Sequence, residues 1–155
     1  RYPDLPTLRR AEQSTLADVI RPMGLQNKRS SGLLDLASEV EGDTLPRDAD
    51  RLAELPQVGP YVANATLCFA LDQQLPIVDR NVDRIYGRLF GAAWSDRSEP
   101  DRYELAAELL PEGEARTYNL ALLDYASAIC TAPDPVCEQC SATGYCGFYA
   151  EREDT

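Results

Sequence analysis

The feature that most constrains this chain is a group of four cysteines between residues 130 and 146. Cys130, Cys137, Cys140 and Cys146 follow the spacing C-x6-C-x2-C-x5-C. Four thiols in one short loop indicate a metal site or a disulfide framework. Structural zinc commonly uses two close cysteine pairs, whereas this loop has one C-x2-C pair and two single cysteines. The spacing therefore favours an iron–sulfur cluster, in which each iron takes one cysteine sulfur, and leaves zinc or disulfides as alternatives.

The composition excludes some kinds of catalytic site and disfavours others. The chain has no histidine, which excludes Ser–His and Cys–His pairs and a histidine base. Its start shows no charged-then-apolar export signal, so disulfides are disfavoured. The fifth cysteine, Cys68, lies in the apolar stretch Ala65-Thr-Leu-Cys-Phe-Ala, and we interpret it as a small buried side chain.

The charge is strongly acidic. The formal net charge is −11, and Lys28 is the only lysine among the 15 basic residues. Such a surface argues at first against a polyanionic partner, but it also suits a protein adapted to high salt. High salt screens phosphate charge, so neutral backbone contacts then carry more of the binding to a polyanion. The charge alone neither indicates nor excludes such a partner.

The pattern of apolar residues and Gly/Pro breaks predicts an all-α fold. No long alternating strand pattern occurs, and no apolar run is long enough to span a membrane. A capping Ser14 opens the first predicted helix. The predicted helices cover residues 14–20, 28–40, 48–55, 60–71, 81–90, 101–110 and 114–129, with a loop over 130–149.

The turn Leu55-Pro-Gln-Val-Gly59 joins two of these helices. Gly59 can adopt positive φ, and the free N–H groups of the following helix start point outward. Such a turn suits a phosphate oxygen, which the helix dipole and backbone donors would bind. An ordinary connection between two helices is the alternative.

Asp79 ends the apolar segment Leu75-Pro-Ile-Val-Asp. One interpretation is a helix N-cap, which explains most aspartates at such positions. The other is a carboxylate that opposes the positive charge of an oxocarbenium-like sugar during glycosidic cleavage. Asn81 would then orient that carboxylate or a water molecule.

In combination these motifs resemble a known family. Residues 55–65, Pro76-Ile-Val-Asp-Arg-Asn-Val-Asp-Arg-Ile85 and the cysteine loop resemble the endonuclease III-like branch of the helix-hairpin-helix/Gly-Pro-Asp DNA glycosylases. The resemblance covers nearly the whole chain. It implies a helix-hairpin-helix glycosylase fold of two helical lobes, 1–91 and 92–155, with a damaged nucleotide flipped into the cleft between them. A monomer that acts on double-stranded DNA and has no membrane partner is expected.

The resemblance also assigns roles to single residues. It implies that Asp79 is catalytic and that the four cysteines of the 130–146 loop hold a 4Fe-4S cluster. Gln57, Val58 and Gly59 would lie in the phosphate-binding hairpin, where Gln57 replaces the usual glycine. Lys28 would contact phosphate or be solvated.

Tyr61 decides the subfamily. Bifunctional members carry a lysine at this position, whose amine forms a Schiff base with the sugar. Tyrosine cannot do so, and a monofunctional glycosylase is therefore expected, with Tyr61 in the sugar pocket. Two groups fit, the thymine/uracil mismatch glycosylases and the A/G-mismatch adenine glycosylases. Adenine glycosylases usually carry a further C-terminal domain, so the end at Thr155 favours the thymine/uracil group.

The family's first barrel helices have no counterpart here and would precede Arg1. They carry a glutamine segment and an acidic base-pocket residue, and a non-catalytic DNA-binding or redox-sensing iron–sulfur fragment is therefore the remaining alternative. A cytoplasmic, nucleoid-associated protein of a prokaryote is expected, with a halophilic archaeon as the candidate source.

Overall fold

The computed structural model describes residues 1–153. Within this range the chain is helical and contains no strand, so the prediction of an all-α fold is confirmed. The α-helices are α1 (Leu5–Arg9), α2 (Gln13–Ile20), α3 (Gln26–Glu39), α4 (Ala49–Ala53), α5 (Pro60–Leu71), α6 (Arg80–Phe90), α7 (Ala92–Ser95), α8 (Glu99–Glu108), α9 (Ala115–Ala128) and α10 (Gly147–Glu153). Short 3₁₀ turns cover Arg21–Met23, Cys137–Gln139 and Thr143–Tyr145. No helix of the described range combines the length and apolar character that a membrane span requires.

The chain packs as two compact units, Arg1–Ala63 and Asn64–Thr155. Their boundary lies within α5. This division follows the packing of the chain. It differs in its boundary from the two lobes 1–91 and 92–155, and those lobes stay a prediction.

The first unit is built on α3, against which α1 and α2 pack. Arg9 on α1 donates from Nε to the carbonyl of Ala37 at 2.5 Å and from Nη2 to that of Val40 at 2.6 Å. The last carbonyls of a helix have no partner within the helix. Arg9 therefore fixes the end of α3 by satisfying these groups.

The second unit is built on α6, which packs against α7, α9 and α10. Its buried core is formed by Ile77, Val82, Ile85, Tyr86, Trp94, Ala106 and Ala126. Trp94 is 1% exposed, and its indole N–H donates to Asp83 Oδ1 at 2.9 Å. The buried ring thus keeps a polar partner, as a buried tryptophan requires.

The helix ends differ from the predictions at several places. The cap of α2 is Glu12, whose side chain accepts from the amide of Thr15 at 3.1 Å, so the predicted Ser14 cap is wrong. The predicted loop over 130–149 is wrong at its end, because α10 begins at Gly147. The short helices α1 and α7 were not predicted.

Candidate functional site

The hairpin of the first unit connects α4 to α5 through residues 55–59. Its tight turn is closed by the amide of Val58, which donates to the carbonyl of Leu55 at 3.1 Å. Gln57 adopts φ +63°, and Gly59 does not have positive φ. The turn therefore does not use the positive φ that is open to Gly59, and its left-handed position is occupied by Gln57, the residue that replaces the usual glycine.

Gly32 on α3 makes room for the side chain of Gln57. A Cβ atom added at Gly32 would lie 2.8 Å from Gln57 Cγ and 3.5 Å from Gln57 Cβ. Real Cβ atoms essentially never lie within 3.0 Å of such a neighbour, so one of the two residues would have to shift. The missing side chain at residue 32 thus allows a glutamine at the turn.

The start of α5 offers backbone donors. Because α5 begins at Pro60, the amides of Tyr61 and Val62 lie in its first turn, where an intrahelical acceptor is lacking. The side chains of Tyr61 and Val62 are 39% and 41% exposed, so this turn is open to a ligand. The arrangement suits an anionic oxygen at a helix N-terminus.

One apolar groove of about 410 Å³ brings several predicted residues together. Its lining includes Lys28, Gln57 and Val58. Sequence reasoning missed the neighbouring Leu25, which is 69% exposed at φ +50° and also lines this groove. The structure therefore places the single lysine beside the hairpin.

The carboxylate site of the second unit is formed by the start of α6. Asp79 Oδ1 accepts from the amides of Asn81 and Val82, both at 2.8 Å, and Asp79 Oδ2 accepts from Asn81 Nδ2 at 2.9 Å. Asp79 is thus the N-cap of α6, and Asn81 additionally holds its second carboxylate oxygen. Both carboxylate oxygens are fixed in direction before any ligand binds.

Arg84 connects this site to the end of α9. It donates from Nη1 to Asn81 Oδ1 at 3.1 Å, from Nε to the carbonyl of Cys130 at 3.0 Å and from Nη2 to that of Ala126 at 3.1 Å. The amide of Asn81 is thereby oriented, since its oxygen faces the guanidinium and its nitrogen faces Asp79. A continuous hydrogen-bonded path joins Asp79 to the first cysteine of the loop.

Two buried asparagines hold the extended segment that leads to Asp79. Asn64 Nδ2 donates to the carbonyl of Pro76 at 2.9 Å, and Asn119 Nδ2 donates to that of Leu75 at 2.9 Å. Asn119 is 1% exposed and also accepts from the amide of Ile77 at 3.4 Å. Sequence reasoning missed both residues, whose only signal is a polar side chain among apolar helical positions.

The four cysteines of the predicted cluster loop line one cavity of the second unit. They are half-buried free thiols. Within residues 1–153, no three His, Cys, Asp or Glu side chains are arranged around a single metal-ion position. The four sulfurs thus border the same cavity but do not converge on one metal-ion position.

Hydrogen-bond donors surround these sulfurs. The Tyr125 hydroxyl donates to Cys140 Sγ at 2.9 Å, and the amide of Ala142 donates to the same atom at 3.4 Å. Burial, together with the hydrogen bond to Cys140, raises the pKa of Tyr125, so its hydroxyl keeps its proton. Donors aimed at sulfur fit thiolates, which are the form that binds iron or zinc.

Comparison with known proteins identifies the family to which the chain belongs. Residues 1–112 match the profile of the HhH-GPD superfamily base excision DNA repair proteins. The chain belongs to this superfamily. The HhH-GPD chain is 32% identical over 157 residues to a thymine-DNA glycosylase of Aeropyrum pernix, covering 96% of this chain and 70% of the relative. It is also 32% identical over 154 residues to a thymine/uracil-DNA glycosylase of Methanothermobacter thermautotrophicus, with the same coverage.

Solved structures agree with this assignment of the HhH-GPD fold. A thermostable thymine-DNA glycosylase superposes with a TM-score of 0.88 at 31% identity, over 97% of this chain and 71% of that one. An endonuclease III–DNA covalent intermediate superposes with a TM-score of 0.83 at 24% identity, over 98% of this chain and 72% of that one. The predicted fold and family are thereby confirmed.

Proposed function

We propose that this HhH-GPD protein is a monofunctional DNA glycosylase that removes thymine or uracil mispaired with guanine in double-stranded DNA. The observation that carries the proposal is the carboxylate of Asp79, which two backbone amides and Asn81 hold at the start of α6. The names of the similar relatives, thymine-DNA and thymine/uracil-DNA glycosylase, support the choice of base.

The proposed reaction is hydrolysis of the N-glycosidic bond. The bond between sugar C1′ and the base breaks, the base leaves with the electron pair and takes a proton, and the water oxygen bonds to C1′. The sugar passes through an oxocarbenium-like state, whose positive charge a nearby carboxylate stabilises. Asp79 supplies that charge and accepts the water proton, while Asn81 positions the carboxylate.

Tyr61 makes the reaction monofunctional in this proposal. A phenol cannot form the Schiff base that a lysine amine forms with the sugar. The exposed ring of Tyr61 instead contacts the flipped nucleotide without a covalent bond. The base is therefore removed and the DNA backbone stays uncut.

The hairpin and Lys28 bind the DNA backbone in this proposal. The amides at the start of α5, together with Gln57, Val58 and Gly59, bind one phosphate, and Lys28 contacts another from the same groove. We propose that the protein acts as a monomer, and that the lobes 1–91 and 92–155 are its functional division.

Cys130, Cys137, Cys140 and Cys146 would hold a 4Fe-4S cluster. Their common cavity and the donors around Cys140 fit such a group. When bound, such a cluster would crosslink the loop, which is a structural role. A brown protein with visible charge-transfer absorption supports this assignment, and a colourless protein that contains zinc contradicts it.

A panel of matched duplexes tests the proposed activity. The full-length protein is incubated with duplexes that contain a single G·T, G·U, A·8-oxoguanine or A·G pair, and the released base is measured. We expect release of thymine and uracil and no release of adenine. Binding to duplex DNA without release of any base would instead identify the non-catalytic alternative.

Adenine removal is the second candidate, and one observation favours it. The chain is 42% identical over 106 residues to an adenine DNA glycosylase of Mycolicibacterium smegmatis, covering 68% of this chain and 36% of the relative. That identity is higher than the 32% to the thymine-DNA glycosylase, but it covers a smaller share of both chains. Release of adenine opposite guanine or 8-oxoguanine would decide for this candidate.

A further inference from the structure

Arg88 on α6 is bound directly to the cysteine loop. Its Nη1 atom donates to Cys130 Sγ at 3.3 Å and to the carbonyl of Thr131 at 2.8 Å, and its Nη2 atom donates to the carbonyl of Pro133 at 3.4 Å. The contact with sulfur is partly buried. A positively charged guanidinium therefore faces a cysteine sulfur.

Phe148 holds this guanidinium in place. The Arg88 Cζ atom lies 4.9 Å from the centre of the Phe148 ring, and the ring lines the same cavity as the four cysteines. Arg152 faces the same ring at 5.7 Å and donates to Cys137 Sγ at 3.7 Å. Two arginines thus share one aromatic ring, and each reaches a different cysteine.

We propose that Arg88 raises the reduction potential of the iron–sulfur group by holding a positive charge against the sulfur of Cys130. This inference rests on the proposed 4Fe-4S cluster. Arg88 acts here as a positioning and charge-supplying residue outside the reaction on DNA. Arg152 adds a weaker contribution at Cys137, because its contact is exposed to solvent.

The direction follows from electrostatics. Gain of one electron makes the group and its thiolates more negative, so a nearby positive charge favours the reduced state and raises the potential. The effect is larger where water is partly excluded, because screening is weaker there. Arg88 meets this condition and Arg152 does not.

Two variants separate the charge of Arg88 from its hydrogen bonds. Arg88→Gln keeps a hydrogen-bond donor and removes the charge, whereas Arg88→Lys keeps the charge and loses the planar fork. Arg116→Gln is the matched control, because it removes one positive charge from the same unit. Arg116 pairs with Asp72 and does not line the cysteine cavity. The midpoint potential is measured by protein-film voltammetry on the full-length protein, and iron and sulfide content are determined in parallel.

We expect a lower midpoint potential for Arg88→Gln, and values near the wild type for Arg88→Lys and Arg116→Gln. An unchanged potential in an Arg88→Gln protein with full iron content would overturn the inference while leaving the cluster assignment intact. Wild-type protein without iron and sulfide would overturn both. If Arg88→Gln assembles no cluster, Arg88→Met, which also removes the charge, is judged by the same criterion: a lower midpoint potential supports the inference, and an unchanged potential contradicts it.

Discussion

Asp79 combines two roles that are usually separate. Its Oδ1 atom caps α6 through two amides, while its Oδ2 atom is held by Asn81. Replacement by alanine would remove the cap as well as the charge, so loss of activity in that variant would be ambiguous. Asparagine is an equally good N-cap, so Asp79→Asn keeps the cap of α6 and removes the charge together with the hydrogen bond from Asn81.

We expect Asp79→Asn to lower the rate of base release by about 100-fold or more, because general-base catalysis and the opposing charge are lost together. Affinity for the same duplex, measured by fluorescence anisotropy, should stay close to the wild type. A urea melt controls for folding and should be nearly unchanged. Retained base release would remove Asp79 from the proposed mechanism.

Tyr61 gives a second prediction at the scale of one residue. Borohydride reduces a Schiff base to a stable amine, which would link the protein covalently to its DNA. The wild type should give no trapped complex on a gel, because the tyrosine hydroxyl cannot form an imine. The Tyr61→Lys variant places an amine at this position and should give a trapped band. A trapped wild-type complex would contradict monofunctional chemistry.

At the scale of elements, the hairpin depends on a contact with α3. Gly32 lies within α3, where alanine is more favourable than glycine by about 1 kcal/mol. In this protein, however, an alanine Cβ would meet Gln57 Cγ at 2.8 Å. Whether Gly32→Ala raises or lowers the free energy of unfolding therefore depends on the residue at position 57.

We expect Gly32→Ala to lower the free energy of unfolding by about 1 kcal/mol, since overpacking outweighs the helix propensity. In a Gln57→Gly background the collision is gone, and the same substitution should raise the free energy of unfolding by about 1 kcal/mol. Urea denaturation of the wild type, the two single variants and the double variant measures the free-energy coupling between residues 32 and 57. Equal effects in both backgrounds would show that Gln57 is free to move aside.

Elements with strong local signals could be predicted from the sequence. The bounds of α5 were predicted in full, because Pro60 marks its first position and the apolar run ends at Leu71. The helices α1 and α7 were missed because they have five and four residues, too few for an apolar period to be visible.

Features set by distant partners could not be predicted. The left-handed conformation of Gln57 depends on the space above Gly32, which no local pattern shows. The roles of Asn64 and Asn119 depend on the carbonyls of Pro76 and Leu75, which come close only in the folded unit. Asp79 itself was predicted as a cap or a catalytic group, and the cap is confirmed while the catalytic role stays a proposal.

At the scale of the whole molecule, the acidic net charge of the protein opposes binding to DNA, which is also negatively charged. The net charge is −11, and residues 55–61 contain no lysine or arginine. Adaptation to high salt stays a prediction, but its physical consequence for binding can be measured directly. If the hairpin binds phosphate through backbone amides, few counterions are released per bound duplex.

We therefore expect the affinity for a duplex to fall only weakly with salt. Each phosphate neutralised by a cation contributes about −0.9 to the slope of log K against log salt concentration, so a total slope shallower than about −3 is expected. Lys28→Gln should make the slope shallower by about 0.9, because Lys28 is the one cation assigned to phosphate. Arg116→Gln is the control and should leave the slope unchanged, since this guanidinium pairs with Asp72. A slope of about −6 or steeper, measured by anisotropy titrations between low and high salt, would mean that arginines outside the proposed site neutralise most of the phosphates.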